Sequence, residues 1–112
     1  VWIRGDRVVP VEQRKGPFWR HSRPDHMLMM SPYHLSDANL LDYLSAIEAF
    51  DPVFGLALPS VLVLFAKRML DEGRLYRGRS LRGFVTSSET LPATDRRLIE
   101  KAFSCKVFDW YG

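Results

Sequence analysis

The chain has 112 residues, of which 46% are hydrophobic and 26% are charged, and this is the composition of a single globular domain rather than a disordered segment. Its net charge is +3, but the basic residues are scattered along the chain, so no nucleic-acid partner is expected. The longest apolar stretch, 53–66, is interrupted by Gly55, Pro59 and Ser60, which argues against a membrane span.

The N-terminal third contains short predicted strands. Residues 2–11 alternate loosely and are predicted to form a strand or a hairpin that turns at Gly5 and Asp6. Residues 12–24 are polar, contain two prolines and a glycine, and are predicted to form a loop. The short apolar run 27–30 is predicted to be a strand.

The first predicted helix begins at Ser36. Its hydroxyl can accept a hydrogen bond from a free backbone N–H of the first turn, and Asp37 places negative charge at the positive end of the helix dipole. Leu35 and Leu40 have the spacing of a hydrophobic staple. The sequence Asp51-Pro52 is predicted to end this helix.

The rest of the chain alternates between strands and helices. Strands are predicted at 53–57, 83–86 and 106–109, with one helix running from Pro59 to about Asp71 and another beginning at Pro92. This alternation predicts an α/β fold, with a mostly parallel sheet and helices on its faces. We expect residues 1–112 to form one such unit.

Three segments are predicted to meet where the parallel strands end. These are 58–60 (Leu-Pro-Ser), 87–89 (Ser-Ser-Glu) and 109–112 (Asp-Trp-Tyr-Gly). Loop and helix-capping chemistry alone would also account for 87–89. Tyr111 offers either a face on which a purine stacks or a core aromatic ring, and Gly112 allows close backbone approach.

Several common sites have no counterpart in the sequence. It contains no recognised metal-ligand spacing, no phosphate loop and no arguable Ser-His-Asp set. His34 precedes a helix, where it could line a pocket but more often bonds a backbone group. The lone Cys105 is expected to be buried and structural, and it fits a cytoplasmic location. The arginine run at 74–82 reads as a solvated loop, with a phosphate-binding patch as the alternative.

Taken together, the motifs resemble a known family. The runs 85–92 (Val-Thr-Ser-Ser-Glu-Thr-Leu-Pro), 97–103 (Arg-Leu-Ile-Glu-Lys-Ala-Phe) and 105–112 (Cys-Lys-Val-Phe-Asp-Trp-Tyr-Gly) resemble adenylate-forming enzymes of the phenylacetate–CoA ligase and CapK-like branch. The runs 31–36 (Ser-Pro-Tyr-His-Leu-Ser) and 58–60 resemble the CapK-like pattern "SxYHLS … YPS". The resemblance implies part of the large N-terminal domain of such an enzyme.

The resemblance also implies a reaction and a set of roles. ATP would activate a carboxylic acid as an acyl-adenylate, with Mg in the full-length parent, and the acyl group would pass to coenzyme A or another acceptor. Ser87, Ser88 and Glu89 would pass along the adenine, Tyr111 would stack on it, and Gly112 would leave the backbone room beside it. Leu58, Pro59 and Ser60 would lie close to the acyl pocket.

The sequence departs from the family pattern in ways that limit this expectation. The threonine and metal-binding glutamate that follow "YG", the phosphate loop and the catalytic lysine of the lid have no counterpart here, and Leu58 stands where a tyrosine is common. We therefore expect a piece of a larger ligase that is inactive alone. The alternatives are a non-catalytic α/β module that forms a homodimer or swapped oligomer through exposed surfaces, and a small basic nucleic-acid binder.

Overall fold

A computed structural model describes residues 1–3, 16, 18–22, 27–86 and 89–109, and these form a layered α/β structure. Its six strands, in chain order, are β1 (Trp2–Ile3), β2 (Trp19–Ser22), β3 (Met27–Met30), β4 (Phe54–Ala57), β5 (Gly83–Thr86) and β6 (Lys106–Asp109). Its helices are α1 (Leu40–Phe50), α2 (Pro59–Asp71) and α3 (Ala93–Phe103), with a 3₁₀ turn at Pro32–His34. The strands lie side by side in the order β2-β3-β1-β4-β5-β6.

The predicted mostly parallel sheet is confirmed. Strands β3, β1, β4, β5 and β6 are all parallel, and only the edge strand β2 runs antiparallel, against β3. The prediction of a loop throughout 12–24 is wrong at β2, because Trp19 packs edge-on against Tyr43 with ring centroids 5.2 Å apart and His21 does the same against Phe50 at 5.7 Å. These tertiary contacts outweigh the polar composition of the segment. Of the predicted strand at 2–11, Trp2 and Ile3 are in β1 and the remainder lies outside the described residues.

The start of the first helix also differs from the prediction. Helix α1 begins at Leu40 rather than at Ser36, so neither the predicted Ser36 cap nor the Leu35–Leu40 staple forms. The side chain of Asn39 explains the delay: its Oδ1 accepts a hydrogen bond from the backbone N–H of Ser36 at 2.8 Å, and its Nδ2 donates to the carbonyl of His34 at 2.7 Å. These bonds hold residues 37–39 as a turn. The predicted end is confirmed at Asp51, which has the left-handed φ of 53°.

The end of α1 holds the loop that contains the arginine run. The carboxylate of Asp51 accepts hydrogen bonds from both the backbone N–H and the hydroxyl of Ser80, at 2.9 and 2.8 Å, and from the backbone N–H of Arg79 at 2.9 Å. These bonds, those from Ser80 first, hold the pKa of Asp51 below its ordinary value. The guanidinium of Arg74 pairs with Glu48. The contacts of Asp51 and Glu48 therefore favour the structural reading of this run over a phosphate-binding patch.

All three helices lie against one face of the sheet. Most strand residues on this face are buried, as are the helix residues that meet them; the buried strand members are Ile3, Leu28, Met30, Ala57, Phe84, Thr86 and Val107. Helix α2 contacts both α1 and α3, so the helices form a single layer. The prediction of helices that flank the sheet is confirmed, and those in the described part of the chain all lie on this one face.

Candidate functional site at the carboxyl edge of the sheet

The parallel strands end in register, which brings the segments that follow them to one edge. Met30 and Ile3 end β3 and β1, and Ile3 pairs with Ala57, Ala57 with Thr86, and Thr86 with Asp109. In open α/β sheets, ligands bind in the crevice outside this carboxyl edge. Among the described residues, 58–60, 89–92 and 31–34 follow strands that end at this edge.

The segment 58–60 turns directly from β4 into α2. Leu58 is the extended residue before the helix, and it cannot cap the helix because its side chain is apolar. Pro59 follows in the first helical position, where its fixed φ suits the turn and its lack of an N–H costs nothing. Pro59 is buried, Leu58 is half-buried and Ser60 is exposed. The first turn of α2 is therefore rigid but lacks a cap of its own.

Glu89, which follows β5, supplies that cap from the neighbouring loop. Its Oε1 accepts a hydrogen bond from the backbone N–H of Ser60 at 2.9 Å, and its Oε2 accepts one from the Ser60 hydroxyl at 3.0 Å. The carboxylate thus satisfies one of the free N–H groups of α2 and places negative charge at the positive end of its dipole. The loop after β5 is held to the loop after β4 by this two-point contact.

Thr86 and Asp109 join the next pair of strands at the same edge. The Thr86 hydroxyl donates a hydrogen bond to Oδ1 of Asp109 at 3.2 Å, and Thr86 is wholly buried while Asp109 is exposed. A buried hydroxyl needs a partner, and the carboxylate of Asp109 provides it. Asp109 is therefore held at the point where the predicted aromatic-glycine segment begins.

Two carboxylates lie in the segments described above. Glu89 and Asp109 are both there, and the segments 58–60, 86–92 and 109–112 contain no lysine or arginine. Carboxylates repel a phosphate but accept hydrogen bonds from amino and hydroxyl groups. The chemistry of this edge therefore suits the neutral base and sugar of a nucleotide better than its phosphates.

Only some of the predicted site residues can be placed. The structure brings Glu89 into contact with Ser60, beside Leu58 and Pro59. Ser87, Ser88, Tyr111 and Gly112 lie outside the described residues. The pairing of Thr86 with Asp109 was not predicted, although a threonine at the last position of an apolar strand is a polar group that needs a partner.

His34 also lies at this edge, in the segment after β3. Its Nδ1 is 2.7 Å from the hydroxyl oxygen of Ser31, and its ring stacks on Phe18 with centroids 4.6 Å apart. This contact is with a side chain, and the prediction that His34 bonds a backbone group stays a prediction. The stacking and the hydroxyl contact fix the ring in place.

Two further features bear on the chemistry. Burial chiefly, and then the charge of Glu100, raises the pKa of the Cys105 thiol to about 11, which leaves little reactive thiolate at neutral pH, and the side chain is half-buried rather than fully buried as predicted. Within the described ranges, no group of three His, Cys, Asp or Glu side chains is placed to hold a metal ion.

None of the described helices combines the length and apolar character needed to span a bilayer.

A protein of known structure shares this architecture. The crystal structure of the anthranilate CoA ligase AuaEII in complex with anthranoyl-AMP superposes on 75% of the chain with a TM-score of 0.52 and 21% identity, and the match covers 16% of that protein. The chain therefore has the α/β fold of part of an adenylate-forming ligase.

A closer relationship appears in the sequence. Protein CapK of Staphylococcus aureus is 33% identical over all 112 residues, which correspond to 25% of CapK. No family model matches the chain. The resemblance predicted from the motifs is confirmed: the chain is similar over its full length to CapK and shares the fold of part of an adenylate-forming ligase, and it spans about a quarter of the length of CapK.

Proposed function

We propose that the chain forms the base-side wall, and part of the acyl-side wall, of an ATP-dependent ligase that activates a carboxylic acid as its adenylate. In this proposal residues 1–112 act as one α/β unit of a larger adenylation domain. The complete ligase would pass the acyl group to coenzyme A or another acceptor. The anthranoyl-AMP bound to AuaEII supports a nucleotide and an aromatic or other carboxylic acid as the reactants.

The observation that carries this proposal is the contact between Ser60 and Glu89. The resemblance assigns Ser60 to the acyl side and Glu89 to the adenine side, and the carboxylate of Glu89 bonds both polar groups of Ser60 at 2.9 and 3.0 Å. An acyl-adenylate joins an acyl group to a nucleotide through one phosphate, so its two ends must be recognised by adjacent surfaces. The Ser60–Glu89 contact supplies that adjacency.

The charge at the edge supports a role for these segments in binding the base and sugar of the nucleotide rather than its phosphates. Glu89 and Asp109 favour the adenine and ribose, with Tyr111 stacking on the base and Gly112 leaving room for its approach. Ser87 and Ser88 would add hydroxyl donors on the same side. The phosphates need cationic groups, which these segments do not contain. The chain is therefore proposed to bind the base but not to catalyse adenylation by itself.

Ligand-observed NMR with the purified chain tests this proposal. We expect adenosine and AMP to bind with similar affinity, within about threefold, because the wall contacts the base and not the phosphate. Tyr111→Ala should abolish binding, and Glu89→Gln should weaken it. Asp71→Asn is the matched control, because Asp71 is an exposed carboxylate at the opposite end of α2 and should leave binding unchanged.

Three results would contradict the proposal. The first is equal binding of cytidine and adenosine, which would show that the base is not recognised. The second is AMP binding much more tightly than adenosine, which would place a phosphate site here. The third is ATP–pyrophosphate exchange by the chain alone.

A further inference from the structure

Arg96 is a half-buried cation that lacks a partner in the described part of the chain. Its Nε–H is buried and makes no hydrogen bond, and Arg96 takes part in no ion pair among the described residues. The next residue, Arg97, is exposed. A cation that is withdrawn from water loses hydration energy, which only an anion or several hydrogen-bond acceptors restore. Arg96 therefore needs an acceptor from outside the described residues.

The position of Arg96 in α3 directs its side chain toward the carboxyl edge of the sheet. Its backbone N–H donates to the carbonyl of Pro92 at 3.0 Å, so Arg96 closes the first turn of the helix. Helix α3 begins at the carboxyl edge because it follows β5, and helical side chains tilt toward the N-terminus of their helix. The buried residues Ile99 and Phe103 lie one and two turns further along on the same side. The guanidinium therefore extends toward this edge from the inner side of α3.

The helix itself disfavours a cation at this position. The first turn of an α-helix is the positive end of its dipole, where negative charge is stabilised and positive charge is not. Asp95 lies in the same turn, but it forms no ion pair with Arg96. Burial and the dipole thus both act against Arg96, and an anion bound at the edge would offset both costs.

The charge of the edge indicates which kind of anion fits. The anionic groups of the proposed reaction are the phosphates of ATP and the carboxylate of the acid. Glu89 and Asp109 place negative charge at the same edge, so a multiply charged phosphate chain is repelled more strongly than a single carboxylate. One guanidinium balances one carboxylate, and its planar fork of N–H groups matches the two carboxylate oxygens. We propose that Arg96 binds the carboxylate of the acid substrate before its activation, an inference that rests on the proposed function.

Ligand-observed NMR with benzoate and its neutral isostere benzamide tests the role of Arg96 in the 112-residue chain. We expect benzoate to bind at least about tenfold more tightly than benzamide, because the amide cannot form the charge-assisted pair. Arg96→Gln should remove this difference, and Arg96→Lys should bind benzoate with intermediate affinity, because lysine keeps the charge without the planar fork. Arg97→Gln is the matched control: it removes the same charge from an exposed position, so benzoate affinity should stay within about twofold.

The affinity for adenosine separates this inference from the proposed base site. Adenosine should bind Arg96→Gln as it binds the unaltered chain. Loss of adenosine binding together with Arg96-dependent benzoate binding would contradict the base site and leave the role of Arg96 standing. Equal binding of benzoate and benzamide would overturn that role, and so would an equal loss of benzoate affinity in Arg97→Gln.

Urea denaturation in the absence of ligand is a second test. Because the substitution removes a half-buried charge that has no partner, Arg96→Gln should be as stable as the unaltered chain or more stable. A clear loss of stability would show that Arg96 pairs with a carboxylate of the chain itself, and this would overturn the proposal. Circular dichroism of each variant establishes that it is folded before its affinities are compared.

Discussion

Gly55 lies in β4, where a side chain would collide with the centre of the core. A Cβ atom at this position would be 2.4 Å from Cε1 of Phe84 and 2.8 Å from Cγ1 of Val1. Val1 lies at the start of the chain and can move, but Phe84 is wholly buried and packs edge-on against Phe103 with centroids 4.9 Å apart. We therefore expect Gly55→Ala to destabilise the fold through Phe84.

The magnitude follows from the distances. An ordinary carbon–carbon contact is about 3.5–4.0 Å, so the new methyl group is about 1 Å too close to the ring of Phe84. Overpacking of this kind costs about 1–3 kcal/mol, and the smaller chain entropy of unfolded alanine offsets about 0.4–1 kcal/mol of that. The net loss in the free energy of unfolding should be about 0–2.6 kcal/mol.

A double-mutant cycle with Phe84→Leu isolates the collision. Phe84→Leu alone should cost about 1–2 kcal/mol through the space it leaves, and that space can accept the methyl group of Gly55→Ala. The double variant should therefore be more stable than the sum of the two single effects by at least about 1 kcal/mol. Urea denaturation followed by circular dichroism at several wavelengths measures all four proteins.

Additive effects of the two substitutions would refute this reasoning, since they would show that the methyl group and the ring do not compete for space. A stabilised Gly55→Ala protein would do the same. Either result would mean that β4 and β5 are farther apart, or differently aligned, than the register Gly55–Phe84 requires.

Three further predictions concern buried and titrating groups. Tyr43→Phe should lower the free energy of unfolding by about 0.5–1.5 kcal/mol, because the buried hydroxyl donates to the Ser31 carbonyl at 2.7 Å, whereas Tyr76→Phe should be neutral or stabilising, because the buried Tyr76 hydroxyl has no hydrogen-bond partner among the described residues; thermal melting of the two variants makes the comparison. Cys105 should react with a disulfide reagent at pH 8 roughly 100-fold more slowly in the folded chain than in urea, because its pKa is raised from 9.0 to about 11. The free energy of unfolding should also fall between pH 9 and 11 by more than it does in Cys105→Ser, because the folded chain retains a proton that the unfolded chain loses. Because the pKa of Asp51 is lowered from 3.8, its contribution is present above that value and is lost as the pH falls through the folded-state pKa, so acid unfolding monitored by circular dichroism should be less steep for Asp51→Asn; an equally steep acid transition would contradict this.

The alternating strands and helices could be predicted because short stretches of sequence determine where each of them begins or ends. The strands at 83–86 and 106–109, the start of α2 at Pro59 and the end of α1 at Asp51 each follow from an apolar run or from proline geometry. Strand β2 could not be predicted, since its place depends on aromatic contacts with a helix more than twenty positions along the chain. The late start of α1 could not be predicted either, because it depends on the hydrogen bonds of the Asn39 side chain to the Ser36 N–H and the His34 carbonyl.

The candidate site was predictable to a similar degree. Parallel strands carry their C-terminal loops to one edge, and this was enough to group Ser60 with Glu89. The hydrogen bonds between them depend on side-chain geometry that no spacing encodes. The position of all three described helices on one face of the sheet was not foreseen, because the alternation of strands and helices does not by itself say on which side each crossover lies.

The direction in which the strands are added has a consequence for synthesis. After β3, each new strand pairs with the outermost strand already formed, β4 beside β1, β5 beside β4 and β6 beside β5, and none is inserted between two others. A ribosome that releases the chain from its N-terminus can therefore build this sheet one βα unit at a time, with no earlier pairing to be broken.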